Sequence, residues 1–268
     1  MAALTKKLSI IIPAYNKDSE VFEVVSGYVN QLKSQPFDWE IIVVDDASRD
    51  KTLREAVRSK KFNGNTHRIK IFSYNLNQGK GFALNYGFKQ SRGDIIVFAD
   101  SDLDIPASNL EVLLKNLSRS SSDIVIASKR HPESVVNYPI FRIFMSKVYQ
   151  IIIKILFNLN ISDTQVGLKA FRREVLENCF PRLVVKQFAF DLELLVVAKK
   201  LGFRKIYESP VNLNYKFTST VRLQSALKIL QDTLAIYYRK KFLEYYDTPH
   251  YKFENSEKLN NFLQKAYI

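Results

Sequence analysis

Short apolar runs alternate with amphipathic stretches along the first half of the chain. Five runs rich in β-branched residues predict strands, at residues 8–13, 40–45, 69–74, 94–100 and 123–128. The stretches between them predict helices at residues 19–32, 50–59, 79–90 and 107–117, the second with Ser48 or Asp50 as its N-cap. Because the runs are almost continuously apolar, both faces of the sheet should be covered. The pattern therefore predicts an α/β fold with a mostly parallel central sheet flanked by helices.

The pattern changes after Ser128. A long apolar segment, residues 138–160, is interrupted by Arg142, Lys147 and Lys154. It fits a buried helix, or a helix in a membrane interface with its lysines among anionic headgroups. Next come a helix at 190–201, a short strand at 204–207, a second candidate interfacial helix at 223–240, and a tail at 242–268 with no clear core role.

Polar and flexible residues collect where the predicted strands end. The stretches are "PAYN" (13–16), "DDAS" (45–48), "NQGKG" (77–81) and "DSDLD" (100–104). Ligands of open α/β sheets bind beyond the carboxyl ends of the parallel strands. We therefore expect a site at this edge, although solvated turn carboxylates or helix caps would account for each acidic stretch taken alone.

The chain carries 40 Lys and Arg against 27 Asp and Glu, a formal net charge of +13. Such a surplus favours an anionic partner over a merely soluble basic surface, and the candidates are nucleic acid, a phosphorylated ligand and an acidic membrane. Nucleic-acid binding would rest on charge alone, since no basic–aromatic repeat accompanies it, and we expect no nucleic acid as partner.

Cysteine usage and the length of apolar runs bear on the compartment. Cys179 is the only cysteine, which excludes an internal disulfide and fits a reducing environment. The three histidines are scattered without zinc-ligand spacing. No run reaches the ~20 uninterrupted apolar residues of a membrane span, and the N-terminal run is too short for a signal peptide. We expect a cytoplasmic protein attached peripherally to the cytoplasmic face of a membrane.

The acidic stretch after the fourth strand places Asp100, Asp102 and Asp104 on alternate positions, and such crowding requires a compensating positive charge. Asp oxygens select Mg²⁺ or Mn²⁺, and magnesium completes its shell with substrate phosphates. Asp45 could accept from the imide N–H of a uracil or the N1–H of a guanine. The glycines of "NQGKG" let the backbone approach a ligand while Lys80 meets phosphate. A dinucleotide fingerprint and a P-loop are both missing, which argues against a dehydrogenase and a P-loop NTPase.

Four ordered motifs, "LSIIIPAYN", "EIIVVDDASRDKT", "NQGKGFALNYGF" and "GDIIVFADSD", resemble the start of the family 2 glycosyltransferases, which have the GT-A fold. This match covers about residues 8–130. The later motifs "SKRHP", "DTQVGLKAF" and "FAFDLELL" resemble the dolichyl-phosphate glucosyltransferase branch and extend the likeness to about Arg239.

The resemblance implies one GT-A domain over residues 1–240, with a nucleotide-sugar and metal half (1–130), an acceptor half (131–240) and a C-terminal tail (241–268). It implies a set of residues that bind the nucleotide sugar: Pro13, Ala14, Tyr15, Asn16, Asp45, Asp46, Gly79, Lys80, Asp100 and Ser101. The implied metal ligands are Asp100, Asp102 and Asp104. Residues placed where relatives bind the acceptor phosphate are Lys129, Arg130, Arg142, Ser146 and Lys216. Lys17 departs from the glutamate that commonly follows "YN", and the transmembrane helices of many relatives are absent.

The acceptor depends on whether a general base is needed. A sugar hydroxyl loses a proton as it attacks and requires a base, for which Asp191 and Glu193 are candidates unless they only cap a helix. A phosphate monoester, with a second pKa near ~6, is already anionic. The basic surplus favours a lipid phosphate.

Together with the resemblance, these observations predict metal-dependent, inverting transfer of glucose from UDP-glucose to a polyprenyl or dolichyl phosphate, giving a β-linked product. Asp102 and Asp191 are the predicted catalytic residues. Two alternatives stay open at this point. One is transfer to a saccharide hydroxyl with Asp191 as base, and the other is a nucleotide-binding protein that has lost turnover.

Overall fold

The computed structural model describes residues 7–64, 67–134, 140–187, 189–213, 223–250 and 266–267, with only the backbone of 140–146, 223–227 and 266–267. The strands are β1 (Leu8–Ala14), β2 (Trp39–Asp45), β3 (Ile69–Ser73), β4 (Ile95–Phe98), β5 (Ile124–Ser128), β6 (Lys169–Arg172), β7 (Ile206–Pro210) and β8 (Ala266–Tyr267). The α-helices are α1 (Val21–Leu32), α2 (Thr52–Phe62), α3 (Lys80–Gln90), α4 (Asn109–Arg119), α5 (Ile140–Phe157), α6 (Arg173–Cys179), α7 (Phe190–Lys200) and α8 (Leu223–Lys241). Short 3-10 turns lie at Phe180–Arg182 and Tyr245–Asp247.

The strands form one sheet in the order β7-β5-β6-β4-β1-β2-β3-β8. β1 lies between β2 and β4 and is parallel to both, and β3 continues the parallel set beyond β2. β6 runs antiparallel between β4 and β5, and β7 is parallel to β5. The predicted α/β fold with a mostly parallel sheet is confirmed.

The sheet is covered on both faces, as the apolar runs indicate. Every residue of β2 is buried, and in β1 only Pro13 is partly exposed. α4 buries one apolar stripe, which consists of Leu110, Leu113, Leu114 and Leu117, whereas α7 is buried all round from Phe190 to Ala198. These helix residues pack against the buried strands and form the core with them. Burial of this apolar surface is the main stabilising contribution to folding.

Local predictions hold better for strands than for helix starts. The residue preceding α2 is Lys51, which makes no side-chain capping bond, so neither predicted N-cap is in that place. Asp50 nevertheless accepts a hydrogen bond from the Thr52 N–H at 2.9 Å. The strand predicted at 204–207 begins at Ile206 and runs to Pro210, because its pairing with β5 extends that far.

Besides β8 and the 3-10 turns, the sequence does not predict β6, α6 and one core residue. β6 and α6 occupy residues 169–179, where a buried lysine and four arginine or glutamate side chains obscure the apolar pattern. Tyr246 is 0% exposed and belongs to the main core. The prediction that the tail has no clear core role is therefore wrong at this position. Burial of Tyr246 depends on distant partners, which the local pattern does not contain.

None of the described helices combines the length and the apolar character needed to cross a bilayer. α5 and α8 pack side by side, with the hydroxyls of Tyr149 and Thr233 2.9 Å apart and the rings of Phe157 and Tyr237 in an edge contact.

Candidate active site

The polar strand ends converge at one edge of the sheet. The register pairs Ala14 of β1 with Asp45 of β2, and Ile11 of β1 with Phe98 of β4. The residues that follow these strands, including Asp46 and Asp100, are therefore neighbours in space. This is the edge at which the sequence predicts a ligand site.

The loops after β1 and β2 are tied together in a strained conformation. Asn16 and Ala47 have positive φ angles of 52° and 57°, which non-glycine residues adopt only at a cost. The Asn16 N–H donates to the Ser48 hydroxyl and the Arg49 N–H donates to the Asn16 side-chain oxygen, both at 2.9 Å. Tyr15 stays 43% exposed between them, beside half-buried Pro13 and buried Ala14. The pair of loops presents a preformed, open surface.

Asp45, the last residue of β2, and Asp46, which follows it, have different hydrogen-bond partners. Asp46 is buried and its carboxylate accepts from the Tyr74 hydroxyl and from the backbone N–H groups of Gln78 and Gly79, at 2.7 to 2.8 Å. Burial raises the pKa of Asp46, although these bonds oppose the shift. Asp45 accepts from the Ser73 hydroxyl at 2.8 Å. Asp46 thus holds the turn that precedes α3. Asp45 is equally buried, and its other oxygen accepts from the Ser48 N–H at 3.3 Å.

An alternating row of charges crosses the centre of the site. Lys80, at the start of α3, lies 2.8 Å from an oxygen of Asp100 and 3.4 Å from an oxygen of Asp191. The other oxygen of Asp191 lies 2.7 Å from the ammonium group of Lys169, which is 0% exposed on β6. These four side chains bring α3, the end of β4, the start of α7 and β6 together.

The row sets the protonation states of its members. Burial alone would raise the pKa of Asp191, but the ammonium groups of Lys169 and Lys80 outweigh it and hold that pKa below its usual range. The same balance, with burial opposed by Asp100 and Asp191, holds the pKa of Lys80 above its usual range. A carboxylate held in its charged form by two cations is a poor proton acceptor. Asp191 is therefore better suited to positioning Lys80 than to acting as a base.

Glycines allow this close packing. A β-carbon on Gly167 would overlap the carboxylate of Asp100. Gly79 has a φ angle of 92°, and a β-carbon there would lie 2.6 Å from the Lys186 carbonyl oxygen. Gly81 lies directly against the ring of Phe190. Gly167 belongs to the motif "DTQVGLKAF", which is thereby brought against the acidic strand end.

The acidic stretch itself has a surplus of negative charge. Burial raises the pKa of Asp102, and the carboxylates of Asp100 and Asp104 raise it further. Ser101 is buried, and the Asp104 N–H donates to a carboxylate oxygen of Asp102 at 3.3 Å. Beneath them, burial and the charges of Asp100 and Asp102 also raise the pKa of the Tyr28 hydroxyl.

The donor set fits a hard divalent cation. Within the described ranges, no three His, Cys, Asp or Glu side chains are grouped so that they alone could hold a metal ion. Magnesium, however, is usually bound by one or two carboxylates and by substrate phosphates. Asp100 and Asp102 supply two carboxylates of this kind at the end of β4.

Basic residues at the end of β5 meet a carboxylate that has no role in the sequence prediction. Lys129 and Arg130 lie close enough to Asp163 to oppose the rise in its pKa that burial causes. Glu208 fixes the adjoining turn, because its carboxylate accepts from the Ser162 N–H at 2.9 Å and from the Ser162 hydroxyl at 2.6 Å. Lys216 and the side chains of Arg142 and Ser146 lie outside the described residues. The signal that could have found Asp163 is its place at the head of "DTQVGLKAF".

Comparison with known proteins identifies the family of the chain. The sequence model "Glycosyl transferase family 2" matches residues 9–180. A dolichyl-phosphate beta-glucosyltransferase of Trichomonas vaginalis is 32% identical, with 85% of this chain and 72% of the relative covered. The Homo sapiens protein of the same name is 31% identical, with 96% of this chain and 81% of that protein covered. The chain belongs to glycosyl transferase family 2 and is a nucleotide-sugar-dependent glycosyltransferase.

Solved structures share the fold at lower identity. Glucosyl-3-phosphoglycerate synthase from Mycobacterium tuberculosis, in complex with Mn²⁺, UDP-glucose and phosphoglyceric acid, superposes with a TM-score of 0.65 at 18% identity, over 88% of this chain and 79% of that one. Mannosyl-3-phosphoglycerate synthase from Rubrobacter xylanophilus gives 0.66 at 20% identity, over 90% and 76%. The predicted GT-A fold is thereby confirmed.

Proposed function

We propose that the protein transfers glucose from UDP-glucose to a polyprenyl or dolichyl phosphate, with a divalent cation and inversion at the anomeric carbon, and so forms a β-linked lipid-phosphate sugar. The names of the relatives from Trichomonas vaginalis and Homo sapiens support the lipid acceptor and the β-linked glucose. The Mn²⁺ and UDP-glucose complex of the Mycobacterium tuberculosis synthase supports the donor and the cation.

The observation that carries the proposal is the ion-pair row Asp100–Lys80–Asp191–Lys169. It holds an ammonium group beside the acidic strand end, where a diphosphate would lie. Asp100 and Asp102 would hold the cation. When bound, the cation would neutralise the charge that develops on the leaving diphosphate. Lys80 would add a second positive charge there, and Asp45 would contact the base.

The same row favours a phosphate acceptor. The lowered pKa of Asp191 makes it a weak base, and a phosphate nucleophile needs none because it is already anionic. Lys129 and Arg130 would bind that phosphate at the end of β5, with Asp163 orienting them. The acceptor oxygen would attack the anomeric carbon from the face opposite the leaving diphosphate, which gives inversion.

One observation favours the alternative, transfer to a saccharide hydroxyl. The pKa of Asp163 is raised, as a general base requires, and Asp163 rather than Asp191 would then be the base. The neighbouring Lys129 and Arg130 weigh against it, because binding of a neutral hydroxyl gives no reason for two cations.

We also propose that the chain divides by role along its sequence. Residues 1–130 would bind the nucleotide sugar and the cation, and residues 131–240 would bind the acceptor. The strand β6 belongs to the second part yet lies between β4 and β5, so the acceptor part would be built into the same sheet.

An acceptor with a long apolar chain calls for a membrane, and α5 and α8 offer a surface for it. On α5, Ile153 and Phe157 are buried, whereas Ile151 and Ile155 are 59% and 76% exposed. This helix therefore has one core face and one apolar outer face. On α8 and just beyond it, the exposed apolar residues are Leu230, Leu234, Tyr238, Phe242 and Leu243.

Positive charge accompanies this outer face, which we name the α5–α8 surface. Lys240 has a lowered pKa, caused first by burial and then by the like charges of Lys199, Lys200 and Lys241. Such an excess of positive charge beside exposed apolar side chains suits an anionic headgroup layer. We propose that the protein attaches peripherally through this surface, on the cytoplasmic face of the membrane.

The experiment that tests the proposed function offers the pure protein a panel of nucleotide sugars with Mn²⁺. Polyprenyl phosphate, a polyprenol and a saccharide are supplied as separate acceptors. Mass spectrometry should find one added hexose on the polyprenyl phosphate, with UDP-glucose as the preferred donor. A hexose on the saccharide instead would support the alternative reaction, and no transfer from any donor would refute the proposal.

A further inference from the structure

Glu193 is a buried carboxylate that the proposed reaction does not use. It lies on α7 and is 0% exposed. One of its oxygens accepts from the backbone N–H groups of Val184 and Val185, at 2.9 and 2.7 Å. The other accepts from the Tyr246 hydroxyl at 2.7 Å and from the Arg239 guanidinium at 3.4 Å. Each oxygen thus has two donors, as a buried charge requires.

The loop that Glu193 holds touches the start of α3. The Lys186 carbonyl oxygen accepts from the Gly81 N–H at 2.8 Å. The same oxygen lies where a β-carbon on Gly79 could not fit, so the two backbones are in close contact. Any shift of residues 184–187 must move the first turn of α3, and Lys80 belongs to that turn.

The residues on the other side of Glu193 are anchored independently. The Arg182 guanidinium donates to the Tyr246 carbonyl oxygen at 3.1 Å, and the His250 N–H donates to the Pro181 carbonyl oxygen at 2.6 Å. Tyr246 is fully buried. The C-terminal segment, residues 239–250, therefore presents a fixed hydroxyl to Glu193, and this segment lies beyond the part matched by the family model.

We infer that Glu193 is a positioning residue that connects the C-terminal segment to the donor site: Tyr246 orients its carboxylate, the carboxylate orients residues 184–187, and these set the place of Lys80. The inference rests on the proposed function only for the identity of the donor. Glu193 touches no substrate in this scheme. It acts through Lys186 and the first turn of α3.

The test compares Tyr246→Phe, which removes the hydroxyl that donates to Glu193 at 2.7 Å, with Tyr149→Phe, which removes the hydroxyl that bonds to Thr233 at 2.9 Å. The Tyr149 hydroxyl bonds to Thr233 and not to Glu193, so the Tyr149→Phe variant is a matched control. Binding of UDP with Mn²⁺, measured by titration calorimetry, should weaken roughly five- to tenfold in Tyr246→Phe, the effect expected when the contribution of the lost hydrogen bond is coupled to the donor site. The control should bind within twofold of the wild-type protein.

Amide hydrogen exchange on the ligand-free protein gives a second readout. In Tyr246→Phe, exchange should quicken at Val184, Val185 and Gly81, and in the control it should not. A lower Tm with unchanged exchange at Gly81 and unchanged UDP affinity would overturn the inference, since Glu193 would then be only structural. If wild-type protein fails to bind UDP, the proposed donor is wrong, whereas exchange at Gly81 still tests the connection.

A variant that fails to fold does not end the test. Arg239→Lys disturbs the longer 3.4 Å contact to Glu193 and the contact of Arg239 with the Tyr246 hydroxyl, and it keeps the positive charge. It should give the same changes in exchange and UDP affinity to a smaller extent. Wild-type behaviour of a folded Arg239→Lys, combined with an unfolded Tyr246→Phe, would count against the connection.

Discussion

At the scale of single residues, the site depends on a few contacts that leave no room for change. The carboxylate of Asp100 rests on Gly167 and pairs with Lys80, and Lys80 in turn pairs with Asp191. Each of these residues has its partner far away in the sequence. Asp100, Lys80 and Asp191 therefore act through where they place their charges, and none of them acts alone as a reactive group.

Gly167→Ala tests the packing of Asp100. The added β-carbon would overlap the Asp100 carboxylate, which must then turn away from Lys80. Because a displacement of about 1 Å at a reacting group can cost on the order of a hundredfold in rate, we expect turnover to fall by at least about tenfold, with the fold retained. Steady-state kinetics and circular dichroism measure the two effects.

Gly27→Ala is the matched control for this change. Its β-carbon would lie 3.4 Å from that of Ala107, which is an ordinary contact, and it lies inside α1, where alanine is favoured over glycine. We expect normal turnover and unchanged or slightly raised stability. Wild-type turnover in Gly167→Ala would show that the observed place of Asp100 is not required.

At the scale of secondary-structure elements, α5 and α8 carry the surface through which we propose that the protein attaches to a membrane. They pack on each other through Tyr149 and Thr233, and each turns an apolar face outward. Exposed apolar side chains that form a continuous patch would mark an interaction site, whereas singly scattered ones would not.

Phe242→Asp tests this surface. The ring is 66% exposed just after α8, so the substitution should leave the fold intact while placing a negative charge against anionic headgroups. We expect flotation with anionic vesicles at low salt to fall several-fold. Phe62→Asp, on α2 with a ring 74% exposed, is the matched control and should bind as the wild-type protein does. Equal losses in the two variants, or no binding by wild-type protein, would refute the α5–α8 surface.

Prediction from the sequence succeeded where the signal is local. The strands β1 to β5 are continuous apolar runs, and the acidic and glycine-rich stretches follow them directly, so both the sheet and the edge that carries the site could be predicted. β6 could not, because its four residues include Lys169, whose burial depends on Asp191, 22 residues further along the chain. The Tyr246–Glu193 bond spans 53 residues and has no local signal at all.

The prediction for Asp191 shows the same limit at the site. Its position at the start of a helix suggested a base or a cap. The lysines that lower its pKa come from α3 and β6, and only the tertiary structure brings them together. The sequence thus indicated that polar residues meet at this edge of the sheet. It did not indicate that acidic and basic side chains alternate there in a row of ion pairs.

At the scale of the whole molecule, we propose one enzyme in which a nucleotide-sugar site on the sheet edge faces a lipid phosphate. The net charge of +13 is consistent with this, since the donor diphosphate, the acceptor phosphate and the proposed membrane surface are all anionic. The tail contributes through Tyr246, whose burial joins it to the core.

The most direct test of the central claim is the structure of the product. The protein is incubated with UDP-glucose labelled with ¹³C at the anomeric carbon, Mn²⁺ and a polyprenyl phosphate, and the lipid fraction is examined by NMR. The account predicts a β-configured anomeric carbon coupled to phosphorus. An α-configured product, or an anomeric carbon with no coupling to phosphorus, would contradict it.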